Sequence, residues 1–213
     1  MSTGHQKRLV IGMTGASGAP IGIALLQAMR NFPDWETHLV ISEGARLTIE
    51  LETEVSLEEV ASLASHYHAV GDFSAGIASG TFRTEGMVIA PCSMKTLAGV
   101  VSGYSDNLIL RAADVTIKER RKLALVARET PLSQVHLSNM HAAAKLGAII
   151  LPPVLSFYNR PSTIQEMTRH IVGKILDVFD LDLPEFKRWT GETARRPPGR
   201  REPLLRPKPM HEN

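Results

Sequence analysis

Chemistry is concentrated first in Gly12-Met13-Thr14-Gly15-Ala16-Ser17-Gly18-Ala19-Pro20. Small residues let backbone N–H groups approach an anion, and the start of the helix that follows favours negative charge. The spacing is G-x-x-G-x-x-G. It is neither the dinucleotide G-x-G-x-x-G nor a P-loop, which would end in Gly-Lys-Ser/Thr. A tight turn without a ligand would satisfy the same residues. Pro91-Cys92-Ser93-Met94-Lys95-Thr96 is the second candidate. Ser93 and Thr96 carry hydroxyls suited to a bound ring edge or polyol chain, and Ser93 is equally suited to capping a helix. Cys92 would be a thiolate activated by a helix terminus or a small buried residue. With no His or Asp near it in sequence, burial is the better reading.

Arg128-Glu129 forms a charged pair that reads equally as a solvated turn or as part of a ligand edge, where a buried Glu129 would exchange protons. Arg111, Lys118, Arg120, Arg121 and Lys122 supply cations, several of them simple surface charges. Phe157-Tyr158-Asn159-Arg160-Pro161 offers two aromatics that shape an apolar pocket or pack on the sheet. Taken alone, Lys174 suits a solvated helix face and Trp189 a packing anchor. The eight histidines are scattered. Neither His66/His68 nor His136/His141 has a recognisable metal-site spacing, so the sequence predicts no metal.

Short β-branched runs alternating with helical patterns position these groups, the signature of parallel βαβ units. Strands are predicted at 8–13, 36–41, 86–90, 122–127 and 148–151. Helices are predicted at 20–31, after Ser42, from the Ser56/Glu59 capping box, from Ser93 to about 102, from Ser105 to about 119, over 137–146 with Gly147 as its stop, and over 163–179. The expected fold is a single α/β domain, Rossmann-like or flavodoxin-like, with a doubly wound and mainly parallel sheet. Ligands of such sheets sit beyond the carboxyl ends of the strands. That rule selects loops 14–20, 42–44, 90–96, 128–133 and 152–161. The second strand ends at Ser42, where an NAD site would usually carry Asp or Glu for the ribose. A mononucleotide such as FMN fits better than NAD.

Composition bounds the class. The chain has 213 residues, 43% hydrophobic and 22% charged, ordinary values for a globular protein. No apolar run reaches the ~18 residues that suggest a membrane span, and residues 1–8 are polar, without a secretory h-region. Cys92 is the single cysteine, which excludes an internal disulfide and a cysteine-rich zinc site. A cytoplasmic location is expected. Residues 190–213 hold six basic side chains against three acidic ones, a net +3, which leaves the body at −1 within a chain of +2. The basicity therefore belongs to a Pro/Arg-rich tail. Residues 1–189 are read as the ligand-binding domain and 190–213 as a disordered segment or an arm reaching a neighbouring subunit. No aromatic stacking platform accompanies the arginines, so no nucleic-acid partner is expected.

Taken together the motifs resemble one family. Met13–Ala19, Pro91–Leu97, Asp106-Asn107-Leu108-Ile109, Arg111-Ala112-Ala113-Asp114-Val115, Lys118-Glu119-Arg120-Arg121, Arg128–Ser133 and His136-Leu137-Ser138-Asn139-Met140 follow in order, closed by Phe157-Tyr158 and Trp189. This is similar to the UbiX/phenylacrylic acid decarboxylase family of flavin prenyltransferases, over about 9–189. The Ser93-Met94-Lys95-Thr96 version resembles the UbiX-type component of bacterial hydroxyarylic acid decarboxylases. Ala127, where Pro often precedes the Arg-Glu pair, and Glu43-Gly44, where Lys-Ala is frequent, depart from the commonest pattern.

The resemblance implies an FMN site of Gly15, Ala16, Ser17, Ser42, Ser93, Met94, Lys95, Thr96 and Arg128. It implies that Tyr158 and Lys174 hold dimethylallyl phosphate, with Arg111, Lys118, Glu52, Glu129 and Trp189 at other active-site positions. Several of these would be reached across subunit interfaces of a dodecamer. The implied reaction joins a dimethylallyl group to N5 and then C6 of reduced FMN. Phosphate leaves toward Lys118, Lys174 and Arg111, Trp189 favours a carbocation, and Ser17 and Glu129 handle protons. The product, prenylated FMN, would serve a UbiD-type aromatic acid decarboxylase, and no metal is required. Two rivals are an FMN-dependent cysteine decarboxylase, whose expected catalytic His and Pro-x-Met-Asn loop are not seen here, and a non-catalytic FMN-binding subunit of a hydroxyarylic acid decarboxylase complex.

Overall fold

A computed structural model describes residues 6–184 and 186–190. Among them, six parallel strands form one sheet in the order β3-β2-β1-β4-β5-β6. They are β1 (Lys7–Met13), β2 (Trp35–Ile41), β3 (His66–His68), β4 (Gly86–Cys92), β5 (Lys122–Ala127) and β6 (Ile149–Ile150). The chain runs outward from β1 to β3, then returns past β1 to β4 and continues the other way. The direction of winding reverses between β1 and β4. β4 is buried at every residue, as a central strand covered on both faces must be.

Seven α-helices among the described residues cover the faces: α1 (Ala19–Met29), α2 (Glu43–Glu52), α3 (Leu57–Ser62), α4 (Met94–Ser102), α5 (Leu108–Lys118), α6 (Gln134–Lys145) and α7 (Ile164–Asp177). One core lies under α1, α2 and α7, built on Leu9, Ile11, Leu25, Leu26, Ile175 and Leu176. The other lies under α4 and α5, built on Met87, Ile89, Leu97, Leu108 and Leu123. No described helix is long and apolar enough to cross a membrane.

The predicted elements appear with shifted ends and one addition. β3 is the sixth strand, and its His-Tyr-His sequence gives no apolar run to read. It exists by pairing with β2, His38 against His66 and Val40 against His68. β4 continues through Pro91 to Cys92, and its register with β5 shifts between Ile89 and Cys92. α5 opens at Asn107, whose side chain accepts from Leu110 N–H at 3.0 Å; Ser105 does not cap it. α6 starts three residues early because Ser133 and His136 form a reciprocal cap. Beneath the sheet His38 is 5% exposed, and burial first, then the neighbouring His66 and His68, push its imidazole down to about 4. The expected tail lies outside the described residues except for Thr190.

Candidate functional site

Reversal of winding opens a crevice at the carboxyl ends of β1 and β4, and three loops are tied together there. Thr14, 2% exposed, donates its hydroxyl to Pro91 C=O at 2.8 Å and accepts from Ser93 N–H at 2.8 Å. This one side chain locks the loop after β1 to the start of α4. Ser42 N–H donates to Met13 C=O at 3.0 Å, and Arg128 N–H to Cys92 C=O at 3.1 Å. Gly15 and Gly44 meet backbone to backbone: a Cβ built on Gly15 would stand 2.9 Å from Gly44 Cα. Gly15, Ala16, Ser17, Ser42, Ser93, Met94, Lys95, Thr96 and Arg128 are thus gathered around one crevice by four adjacent strand ends.

Both serines are helix caps. Ser42 accepts from Ala45 N–H at 3.2 Å and Ser93 from Thr96 N–H at 3.3 Å. Capping and ligand binding are compatible, because the first-turn N–H groups of Met94 and Lys95 have no intrahelical partner. Those groups, the Ser93 and Thr96 hydroxyls (3.1 Å apart) and the Arg128 side chain form a donor set suited to a phosphate and a polyol. This chemistry fits FMN. Ser17 is exposed on the loop, whereas Ala16 is buried beneath it.

The N-terminus of α1 is used differently from the sequence expectation. Gly18 N–H and Ala19 N–H both donate to one Glu52 carboxylate oxygen, at 2.8 and 2.9 Å. The anion at that terminus is the chain's own side chain, delivered by the last residue of α2. Glu52 thereby fixes the loop that carries Ser17, and the α4 terminus is left as the open anion site.

Cys92 is fully buried, and burial pushes its thiol up to about 12. The activated-thiolate alternative is excluded. Glu129 does not have the burial that a raised carboxyl would need: it is exposed in the single chain and accepts from Thr130 N–H at 3.0 Å.

The remaining site residues fall into two other groups. Tyr158 packs edge-on against His170 and Trp189, with ring centroids 5.5 and 5.4 Å away. Lys174 stands exposed one turn beyond His170 and pairs loosely with Asp177 at 3.4 Å. Burial, and secondarily Lys174, hold the His170 imidazole below its ordinary value. His170 was not singled out from the sequence; its only signal was a polar residue on the buried stripe of α7. Arg111 donates to Ala78 C=O at 3.0 Å and pairs with Asp114 at 2.7 Å. Lys118 ends α5, four residues before β5 begins, and pairs with Glu119 at 2.5 Å. It therefore lies at the amino edge of the sheet, while Arg128 lies at the carboxyl edge. The six residues of β5 separate the two edges by roughly 20 Å at about 3.3 Å per residue.

A doubly wound sheet with a phosphate-type donor set at its switch point defines a nucleotide-binding α/β protein, and residues 2–179 match the flavoprotein family. The chain belongs to that family, within its UbiX-like flavin prenyltransferases. Flavin prenyltransferase UbiX of Escherichia coli (strain K12) is 52% identical over 87% of this chain and 99% of that one. The crystal structure of a dodecameric FMN-dependent UbiX-like decarboxylase from Escherichia coli O157:H7 is 54% identical and superposes with a TM-score of 0.85, covering 86% of this chain and 100% of that one. AnUbiX (PadA1), solved with FMN and dimethylallyl pyrophosphate, is 49% identical with a TM-score of 0.86 over 88% of this chain and 99% of that one.

Proposed function

We propose that this chain is a flavin prenyltransferase that joins a dimethylallyl group from dimethylallyl phosphate to N5 and C6 of reduced FMN. It works in the cytoplasm as a homo-oligomer, a dodecamer as in the Escherichia coli relative. Prenylated FMN passes to a UbiD-type aromatic acid decarboxylase. The observation that carries the reading is the Thr14-locked crevice, where α4 offers open N–H donors beside Ser17 and Arg128. The flavin, once bound and reduced, supplies the nucleophile.

The chain's own residues supply the rest. Met94, Lys95, Ser93, Thr96, Ser42 and Arg128 hold the mononucleotide, with Gly15 and Ala16 as the close-fitting floor. Tyr158 and Lys174 bind the prenyl phosphate, and Arg111 and Lys118 from neighbouring subunits stabilise the departing charge. Trp189 offers its face to a developing cation. Ser17 and Glu129 move protons, and Glu52 keeps Ser17 in place. Exposed apolar side chains support assembly: Val135 and Leu137 on α6, and Val154, Leu155 and Phe157 before α7. Such an exposed set marks an interaction surface. In the proposed organisation residues 1–189 form the catalytic domain and 190–213 a basic arm.

The test is to incubate the protein with reduced FMN and dimethylallyl phosphate and weigh the flavin. A flavin carrying one added five-carbon unit is expected. Bound FMN that gains no mass would leave the non-catalytic FMN-binding subunit as the correct reading. Ser17→Ala and Glu129→Ala are expected to retain FMN while turnover falls by about 10²-fold or more, the size typical of proton-transfer groups. Unchanged rates would remove those roles.

A further inference from the structure

The pairing of β2 with β3 brings together side chains that lie far apart in sequence. Glu36 and His38 sit two residues apart on β2, on one face of the sheet, and His66 is the register partner of His38 on β3. One donor atom from each of Glu36, His38 and His66 lies within 4.8 Å of the other two. The His38 and His66 rings stack with centroids 4.6 Å apart.

His38 supplies the independent sign of a ligand. It is 5% exposed, and its Nε2 is buried without a hydrogen-bond partner. Its other nitrogen is engaged: Nδ1 lies 3.0 Å from His68 Nε2. With the proton on Nδ1 donated to His68, Nε2 keeps its lone pair, the tautomer in which a metal-binding histidine is held by an outer partner. Glu36 is oriented in the same manner, since Arg8 Nε takes one carboxylate oxygen at 2.9 Å and leaves the other. A buried polar nitrogen with no partner is otherwise costly.

We infer that Glu36, His38 and His66 form a site for a borderline divalent metal ion of the zinc type, clamping edge strand β3 to β2. Two imidazoles and one carboxylate are a common zinc donor set, and a fourth position stays open to water. Bond lengths of about 2.0–2.1 Å require donor atoms about 3.3 Å apart. His66 is exposed on an edge strand and is the residue free to tilt inward by the ångström or so this needs. The site is separate from the flavin crevice. Glu36 lies near the amino end of β2, whereas Ser42 follows its carboxyl end. The role is structural: three residues of strand gain a cross-link that their short ladder does not provide. Nothing in the inference depends on the prenyl transfer.

The full chain, stripped with a chelator and dialysed, is titrated with Zn²⁺ and then Co²⁺. About one tightly held ion per chain is expected, a visible Co²⁺ band typical of low coordination number, and a melting temperature that rises with Zn²⁺. His66→Gln, at an exposed position that leaves the fold intact, is expected to lose at least tenfold in affinity and the Zn²⁺-dependent rise in melting temperature. Glu36→Gln gives the second arm, with a loss of similar direction. No ion held by the parent chain, or equal binding and equal thermal response in His66→Gln, would overturn the site.

Discussion

At the scale of single residues, position in the fold decides between alternatives that composition leaves balanced. Cys92 and Glu129 both sit at strand ends facing the crevice, yet one is sealed and the other is open. With its thiol pushed up to about 12, Cys92 carries almost no thiolate at pH 8. An aromatic disulfide reagent is expected to label it only after denaturation; rapid labelling of the native protein would contradict its burial. Glu52 makes a sharper case. The small-residue loop was legible as an anion site, but nothing in the sequence could show that the anion at α1 is a carboxylate 33 residues further along the chain. Glu52→Ala strands two N–H donors and should cost about 1–3 kcal/mol of stability, read from denaturant melts. Glu52→Gln, which still offers an acceptor, should recover most of that stability while prenyl transfer stays impaired. If the alanine variant melts like the parent, Glu52 does not hold the loop.

At the scale of elements, strands and helices were legible where periodicity and capping chemistry agree. The apolar runs of β1, β4 and β5 and the Ser56 cap with Glu59 carry their own signals. β3 carries none, because three polar residues become a strand only through an edge that β2 presents. For the same reason the Glu36/His38/His66 cluster is invisible to a search for ligand spacing: its register is a tertiary fact. The approach of Gly15 to Gly44 is another contact between elements. It seats the start of α2 directly on the loop after β1. Gly15→Ala would put its Cβ 2.9 Å from Gly44 Cα. Separating the two backbones should cost about 1–3 kcal/mol, the usual scale of overpacking, and weaken FMN binding at least tenfold. Gly71→Ala, which meets nothing within 4 Å, is the control and should change neither. Titration of FMN fluorescence checks both variants; equal affinities would show that the close contact is incidental to the site.

At the scale of the whole molecule, the resemblance named the site residues correctly as a set only if more than one chain builds it. Lys118 and Arg128 of one subunit stand at opposite edges of the sheet, too far apart to face one substrate. A sequence lists both without saying which copies share them. A symmetric oligomer resolves the conflict by placing the amino edge of one sheet against the carboxyl edge of another, and the exposed apolar residues near α6 and α7 provide a surface for such contacts. Complementation follows. Lys118→Ala and Glu129→Ala should each be nearly inactive alone. A site in a mixed oligomer is whole when its Glu129 comes from a Lys118→Ala chain and its Lys118 from a Glu129→Ala chain. In random equal mixing that holds for about a quarter of sites under repeated identical interfaces. Co-expressed variants should therefore recover about a quarter of parental turnover, whereas separately purified and unexchanged oligomers should recover none. Turnover that stays at the level of the single variants after verified subunit exchange would mean that Lys118 and Glu129 act within one chain, or that one of them does not act at all.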